Sequence, residues 1–155
     1  MRFRWRVTGG TAALVALAVL ASGPALAASP SSVVAAKPTW SSSQLKAGGS
    51  FKNTVSALAT YNYTLQLVRT STSTKPTCTT ASGCLTSISG TQVQLSSSGM
   101  RPISVAKSST ATIPSLVVNC TTSSTTRYYW TWLKVADSSG NAVVSLSSSL
   151  AGKYC

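Results

Sequence analysis

Acidic and imidazole side chains are almost absent from this sequence of 155 residues, which has no histidine, no glutamate and a single aspartate, Asp137. General acid–base catalysis normally uses one of these residue types. A Ser–His–Asp triad needs a histidine, glycoside hydrolysis needs two carboxylates, and Ca²⁺ or Mg²⁺ sites need carboxylate ligands. Asp137 begins the segment DSSGN, where an aspartate commonly bonds the backbone of a turn. The sequence therefore predicts a protein that is not an enzyme and that binds no cofactor or metal.

No apolar run is followed by a stop-transfer segment, and the run near the start, Thr11–Ala21, is too short to span a bilayer with margin. Three arginines precede it, and Gly23 and Pro24 follow it. The next residues, Ala-Leu-Ala, form the small-x-small pattern that signal peptidase cleaves. We interpret residues 1–27 as a signal peptide. The mature chain, residues 28–155, is then secreted to the extracellular side and has no membrane span.

Acidic residues are too few to balance the thirteen lysines and arginines. Without the three arginines of the leader, ten bases and one acid leave a formal side-chain charge of +9. Such a charge attracts wall teichoic acids, anionic lipids, DNA or acidic proteins over about 8–10 Å at moderate salt. The alternative is that the charge serves solubility alone. The bases are scattered from Lys37 to Lys153, which argues against a specific nucleic-acid site.

Four cysteines, Cys78, Cys84, Cys120 and Cys155, are present in this exported chain. An even number in such a chain indicates two disulfides, for which three pairings exist. We favour Cys78–Cys84, which closes a short loop, with Cys120–Cys155, which holds a chain end. A zinc site is the alternative, but the spacing lacks two CxxC-like pairs and histidine is missing.

Serine and threonine make up 47 of the 128 mature residues, a composition that disfavours long helices. Apolar residues alternate with polar ones from Tyr61 to Leu67, and Arg127–Val135 has the strongest strand pattern. Asp137–Asn141 is a predicted turn, and Ala142–Leu146 pairs back across it. The apolar run Leu116–Cys120 predicts a strand buried on both faces. Shorter strands are predicted at residues 85–88, 92–95, 103–105 and 111–113.

Seven to nine short strands at this spacing predict an all-β fold, an immunoglobulin-like two-sheet sandwich with two disulfides. A small Greek-key barrel is the alternative. We place this domain at residues 51–155, because the regular pattern starts at Phe51. Residues 28–50 are predicted to be an N-terminal extended arm. Its apolar residues Val33, Val34 and Trp40 are candidate anchors in a partner; the alternative is a solvated tail.

Tyr128, Trp130 and Trp132 share one face of the predicted strand, while Leu133 and Val135 mark the other face as core. If exposed, the three rings would form an aromatic patch on which sugars or bases stack. The alternative is that they fill the second half of the core, covered by the opening segment.

In its leader, its Ser/Thr/Ala richness and its two-disulfide framework, the chain resembles small secreted β-sandwich proteins of actinobacteria. One such group is the adaptor subunit of the umbrella-shaped toxin particles of Streptomyces-type bacteria. The chain also resembles antibiotic-carrying chromoproteins in size and disulfide count, although those are typically acidic. The first resemblance implies an adaptor that joins other secreted proteins of an extracellular complex. A cell-wall or carbohydrate-binding module, or a cationic effector that binds acidic polymers, are the alternatives.

Overall fold

The computed structural model describes residues 29–84 and 92–155; the predicted leader and the strand predicted at 85–88 lie outside these ranges. The described residues are all-β, in two sheets that pack together. None of their elements is a helix long and apolar enough to cross a membrane. The strands are β1 (Ser31–Ser41), β2 (Gln44–Lys52), β3 (Ala59–Thr70), β4 (Gln92–Ser97), β5 (Arg101–Val105), β6 (Thr110–Asn119), β7 (Arg127–Ala136), β8 (Ala142–Leu146) and β9 (Leu150–Gly152).

The larger sheet, sheet B, is built on the antiparallel pair β3 and β7. β4 and β5 pair with successive halves of β3, and β8 and β9 pair with successive parts of β7. The alternating residues of β3 explain its place, since Tyr61, Tyr63 and Leu65 all point into the core. The strands predicted around Tyr61–Leu67 and Arg127–Val135 are the two at the centre of the structure.

The smaller sheet, sheet A, has the order β1-β2-β6 and corrects the predicted arm at residues 28–50. Those residues include all of β1 and most of β2, so the predicted boundary at Phe51 falls inside a strand. Leu45 and Ala47 are fully buried against sheet B beside Phe51. Gly49 lies at a close approach, because a Cβ there would be 2.7 Å from a methyl carbon of Leu133. Small residues that looked like linker are therefore packing residues.

The strand predicted over Leu116–Cys120 belongs to the longer β6, and its predicted burial on both faces is wrong. β6 pairs only with β2, so it is an edge strand. Val117 is 43% exposed on its outer side, and Leu116 and Val118 are half-buried. Pro114 fits this position, since a residue without an N–H is tolerated at a sheet edge.

The core between the sheets is closed at one end by a buried asparagine, Asn53. Its side-chain nitrogen lies 3.0 Å from three carbonyl oxygens, those of Ala57, Val105 and Ala106. Its oxygen accepts hydrogen bonds from the backbone N–H of Val55 and from the Tyr61 hydroxyl at 2.8 Å. Burial, and then the Asp137 charge, raise the pKa of Tyr61, which keeps this hydroxyl a donor. One side chain thus ties the β2–β3 loop to β5.

The β1–β2 hairpin turns through Ser42 and Ser43, since Ser41 pairs with Gln44. Both turn residues have positive φ, 50° and 62°. This is the geometry of a type I′ turn, which favours Asn-Gly because L-residues avoid the left-handed region. Each serine there costs about 1–2 kcal/mol. β1 also has two register shifts, between Ser31 and Val34 and between Ala36 and Thr39.

Both predicted disulfides, Cys78–Cys84 and Cys120–Cys155, are confirmed. The second joins the residue after β6 to the segment after β9, so it links the edge of sheet A to sheet B. All four thiols are used, and disulfides of this kind indicate an oxidising, extracellular-type environment.

Replacing Asn53 with alanine should lower the free energy of unfolding by about 2–4 kcal/mol, because several buried backbone groups and the Tyr61 hydroxyl lose their partner. Asn62→Ala is the matched control, since Asn62 is half-buried on the outer side of β3. It should change stability by about 0.5 kcal/mol or less. Urea unfolding measures both; equal losses would show that Asn53 has no special role.

Candidate functional site

The rings of Tyr128, Trp130 and Trp132 lie on the outer face of sheet B, away from sheet A. They are not open to solvent: Trp130 and Trp132 are 4% and 3% exposed, and Tyr128 is half-buried. Together with Val68 they form a second apolar cluster beneath Cys78 and Cys84. The cover is therefore the disulfide loop, whereas the sequence suggested the opening segment. The Trp130 indole N–H donates to the Thr70 hydroxyl at 3.0 Å, which satisfies its polar atom.

Two glutamines hold the disulfide loop on this face. The side-chain oxygen of Gln66 accepts the backbone N–H of Cys84 at 2.8 Å. Gln92 exchanges two hydrogen bonds with the backbone of Thr77, at 2.8 and 2.9 Å. Inside the loop, Thr79 and Gly83 exchange two backbone hydrogen bonds of 2.9 Å. The loop is thus ordered by its own bonds and fixed to β3 and β4, which leaves no aromatic platform for sugars on this face.

Trp40, a predicted anchor, instead closes the other end of the core. Its ring stacks on Tyr154 with centroids 4.4 Å apart, and Tyr154 in turn lies 5.7 Å from buried Tyr129. Arg69 donates a hydrogen bond to the carbonyl oxygen of Cys155, the neighbour of Tyr154. Trp40 is half-buried in these contacts, so it stabilises this protein's own fold.

The other two predicted anchors point in opposite directions, as neighbours on a strand do. Val33 is half-buried and packs against the core. Val34 is 53% exposed on the outer face of sheet A. The three anchors of the predicted arm are therefore not brought together, and only Val34 is available to a partner.

The outer face of sheet A is an open strand surface that carries both apolar and charged side chains. Cross-strand pairing aligns Val34, Ser50 and Thr112 in one row and Thr39, Lys46 and Val117 in another. A further row at one end of the face consists of Ser31, Lys52 and Thr110. Lys37 is exposed at the bulge in β1. This surface, which we call the sheet A face, comprises Val34, Ala36, Lys37, Thr39, Lys46, Gly48, Ser50, Lys52, Thr110, Thr112, Ser115 and Val117.

Every exposed charged side chain in residues 29–84 and 92–155 is basic. Three of them, Lys37, Lys46 and Lys52, lie on the sheet A face, and the others are spread over the two ends and sheet B. Sequence reasoning recorded these lysines but could not group them, because it did not assign β1 and β2 as strands. Once β2 is a strand, the alternation of Lys46, Ser50 and Lys52 with Leu45, Ala47 and Phe51 identifies the face.

Asp137, the single acid, is 3% exposed and holds the β7–β8 turn. Its carboxylate accepts the backbone N–H groups of Ser139 and Asn141 at 2.9 Å and the Asn141 side-chain amide at 3.0 Å. Burial by itself raises the pKa of Asp137, but the hydrogen bonds from Asn141 and Ser139 outweigh it, and the pKa lies below 3.8. Its charge is thus committed to the turn, as the sequence predicted.

Two Ser-x-x-Lys sequences, Ser43 to Lys46 and Ser104 to Lys107, occur in the chain. In some acyl-transfer enzymes this spacing places a serine beside a lysine. That proximity requires a helix, whereas here the first pair runs from a turn into β2 and the second from β5 into a loop. The Ser104 hydroxyl shares a hydrogen bond of 3.1 Å with Thr60. Neither pair has the arrangement of a dyad.

A comparison of the chain with protein-family models finds no match, and a comparison with curated proteins finds no similar protein. The arguments on function consequently rest on the residues themselves.

Removing the short disulfide by Cys78→Ser/Cys84→Ser should cost about 2–3 kcal/mol of stability, the loop-entropy value for a loop of this size. It should also uncover the rings beneath it. In a chain of residues 28–155 with Trp40→Phe, Trp130 and Trp132 are the remaining tryptophans. Acrylamide quenching of their fluorescence should rise relative to the same background with the disulfide intact. Unchanged quenching would mean that the loop is not what covers them.

Acid should destabilise the protein through Asp137. Folding lowers the pKa of Asp137 below its ordinary value of 3.8, so the ionised carboxylate stabilises the folded state above that pH. This stabilisation is lost as the pH falls from 3.8 through the lower pKa of the folded state. Asp137→Asn should be about 1–2 kcal/mol less stable at neutral pH and should lack this acid limb. No other side-chain carboxylate exists in the chain, so the comparison is clean. Urea unfolding from about pH 7 to 2 measures it; parallel curves would refute the assignment.

Proposed function

We propose that the mature chain is a secreted, non-catalytic adaptor domain that docks on an acidic secreted protein through the sheet A face. The charge of one exposed face is the observation that carries the proposal. Every exposed charged side chain of the described residues is basic, and three of these lysines share the sheet A face with Val34 and Val117. Lys46 and Lys52 lie on its central strand, and the two exposed valines lie on its edge strands. A partner whose acidic groups face the lysines and whose apolar side chains meet the two valines fits this pattern.

The composition of the face favours a protein over an acidic polymer. Three lysines are few for a polymer, whose binding depends on many neutralised charges. Between them lie uncharged side chains, Ala36, Thr39, Ser50 and Thr112, which a flat protein surface can cover. The face measures about 14 Å by 30 Å from strand spacing and rise, which is small for a stable interface. The adaptor therefore binds this partner weakly and in a salt-sensitive way.

The scarcity of titratable side chains determines how binding should respond to pH. With no histidine, its one acid in a turn and its four cysteines in disulfides, the mature chain has no side chain of a type that ordinarily titrates between about pH 5 and 9. Apart from the α-amino group that cleavage creates at Ala28, any pH dependence of binding in that range comes from the partner.

The test uses the tagged chain in the culture medium of its own producer, treated with a lysine-reactive cross-linker and examined by mass spectrometry. Cross-links from Lys37, Lys46 and Lys52 should converge on one acidic protein. Lys46→Glu/Lys52→Glu should lower recovery of that protein at least about tenfold, equivalent to 1.4 kcal/mol. Lys75→Glu/Arg101→Glu makes the same charge change at exposed sites off the face and should leave recovery unchanged.

Two results would overturn the proposal. Equal losses in both double variants would show that overall charge, and not the face, drives binding. Retention on teichoic acid or DNA cellulose that falls with either double variant, without a protein partner, would identify a general polyanion binder.

A further inference from the structure

The two-residue turn between β1 and β2 is built from residues that disfavour its geometry. Ser42 and Ser43 both have positive φ, whereas asparagine and glycine are the residues suited to these positions. A short hinge under strain favours an open connection, in which the two strands continue as one extended segment. The strain acts at the junction between an N-terminal edge strand and the remainder of the domain.

β1 has no covalent tie to the rest of the domain apart from this turn. All four cysteines are downstream of it, at residue 78 and beyond, and they are paired with one another. β1 can therefore leave its place without breaking a disulfide, whereas β6 and β9 are held by Cys120–Cys155.

β1 contacts the rest of the domain through both its backbone and its apolar side chains. When β1 leaves, the groups that it contacted lose their partners and become exposed. Ala35 is buried, and its backbone N–H donates to the Ser145 hydroxyl on β8 at 3.0 Å. Trp40 stacks on Tyr154, and residues 31–41 pair along β2. The segment that satisfies all of these groups at once is another β1.

We propose that two copies of this chain exchange β1 and form a domain-swapped dimer. In the dimer each β1 pairs with the β2 of the other copy and repeats every contact described above. The dimer differs from the monomer at the turn, where Ser42 and Ser43 leave the left-handed region. The hydrogen bond from the Cys120 N–H to the Ser43 carbonyl, 2.9 Å in the closed form, is the contact that opposes opening. This inference does not depend on the proposed function.

The experiment compares three forms of the secreted chain. One is the unmodified chain, one carries Ser42→Asn/Ser43→Gly, and the matched control carries Ser108→Gly. Ser108 also has positive φ, 51°, but lies in the loop before β6. Each is held at high concentration just below its thermal midpoint, cooled, and examined by size-exclusion chromatography with light scattering. The unmodified chain and the control should form a dimer that persists for hours after dilution. The turn variant should form at least about tenfold less dimer, because relief of strain favours the closed hairpin.

Isotope labels identify the exchange itself. A mixture of ¹⁵N-labelled and unlabelled chains is taken through the same procedure and cross-linked through lysines. Lys37 on β1 and Lys46 on β2 are near each other, since Lys46 pairs with Thr39. Their cross-link should join labelled to unlabelled chains in the dimer, while a Lys52–Lys107 cross-link, downstream of the turn, should stay within one isotope.

Three results would overturn the inference: no dimer from the unmodified chain, a dimer fraction that the turn variant does not change, or a Lys37–Lys46 cross-link that never mixes isotopes. The last result with a dimer present would indicate contact between outer surfaces.

Discussion

The antiparallel pair β3 and β7 is the interaction on which the rest of the structure depends. Nine register pairs join the two strands, from Asn62 with Ala136 to Thr70 with Tyr128. Both faces of the pair are apolar: Leu65 and Leu133 point to sheet A, and Val68 and Trp130 point away from it. A ribbon of this kind needs two covers, since each exposed face would leave large apolar side chains in water. Sheet A is the first cover and the disulfide loop is the second.

The two covers are built by different means. Sheet A brings apolar side chains of its own, such as Leu45 and Phe51, so burial holds it in place. The loop at residues 71–84 is mainly serine and threonine, and it has little apolar surface of its own to bury. Its position depends instead on the Cys78–Cys84 bond, which reduces its freedom, and on the amides of Gln66 and Gln92. A polar segment can thus cover a tryptophan face when covalent and hydrogen bonds replace the missing burial.

The parts of the fold that follow a simple period were predictable from the sequence. The alternation at Tyr61–Leu67 and the aromatic strand Arg127–Val135 both appear as strands, and the cysteine count and spacing led to the observed pairing. β1 and β2 were missed because their buried positions include alanine and proline as well as Leu45 and Phe51. At Gly49 the packing feature is the absence of a side chain, which no hydrophobic pattern can register.

The candidate site was less predictable for a related reason. The sequence placed Trp130 and Trp132 correctly on one face of a strand, but what covers a face depends on distant residues. Here the cover is a Ser/Thr loop without an apolar pattern. The sheet A face could not be recognised either, because its lysines form a group only when β2 is paired between β1 and β6.

The topology also determines when the chain can fold. Each central strand needs a partner from far along the chain. β2 pairs with β6, where Gln44 and Asn119 are separated by 75 residues in the sequence. β3 pairs with β7, where Thr70 and Tyr128 are separated by 58 residues. Neither sheet can be completed from a nascent segment, because each central strand needs a second partner from later in the sequence, β6 for β2 and β7 for β3. Chains with such non-local pairing fold in milliseconds to seconds, far more slowly than helical bundles. If the chain is exported unfolded, as we propose, this delay keeps it extended until its C-terminal half has crossed the membrane.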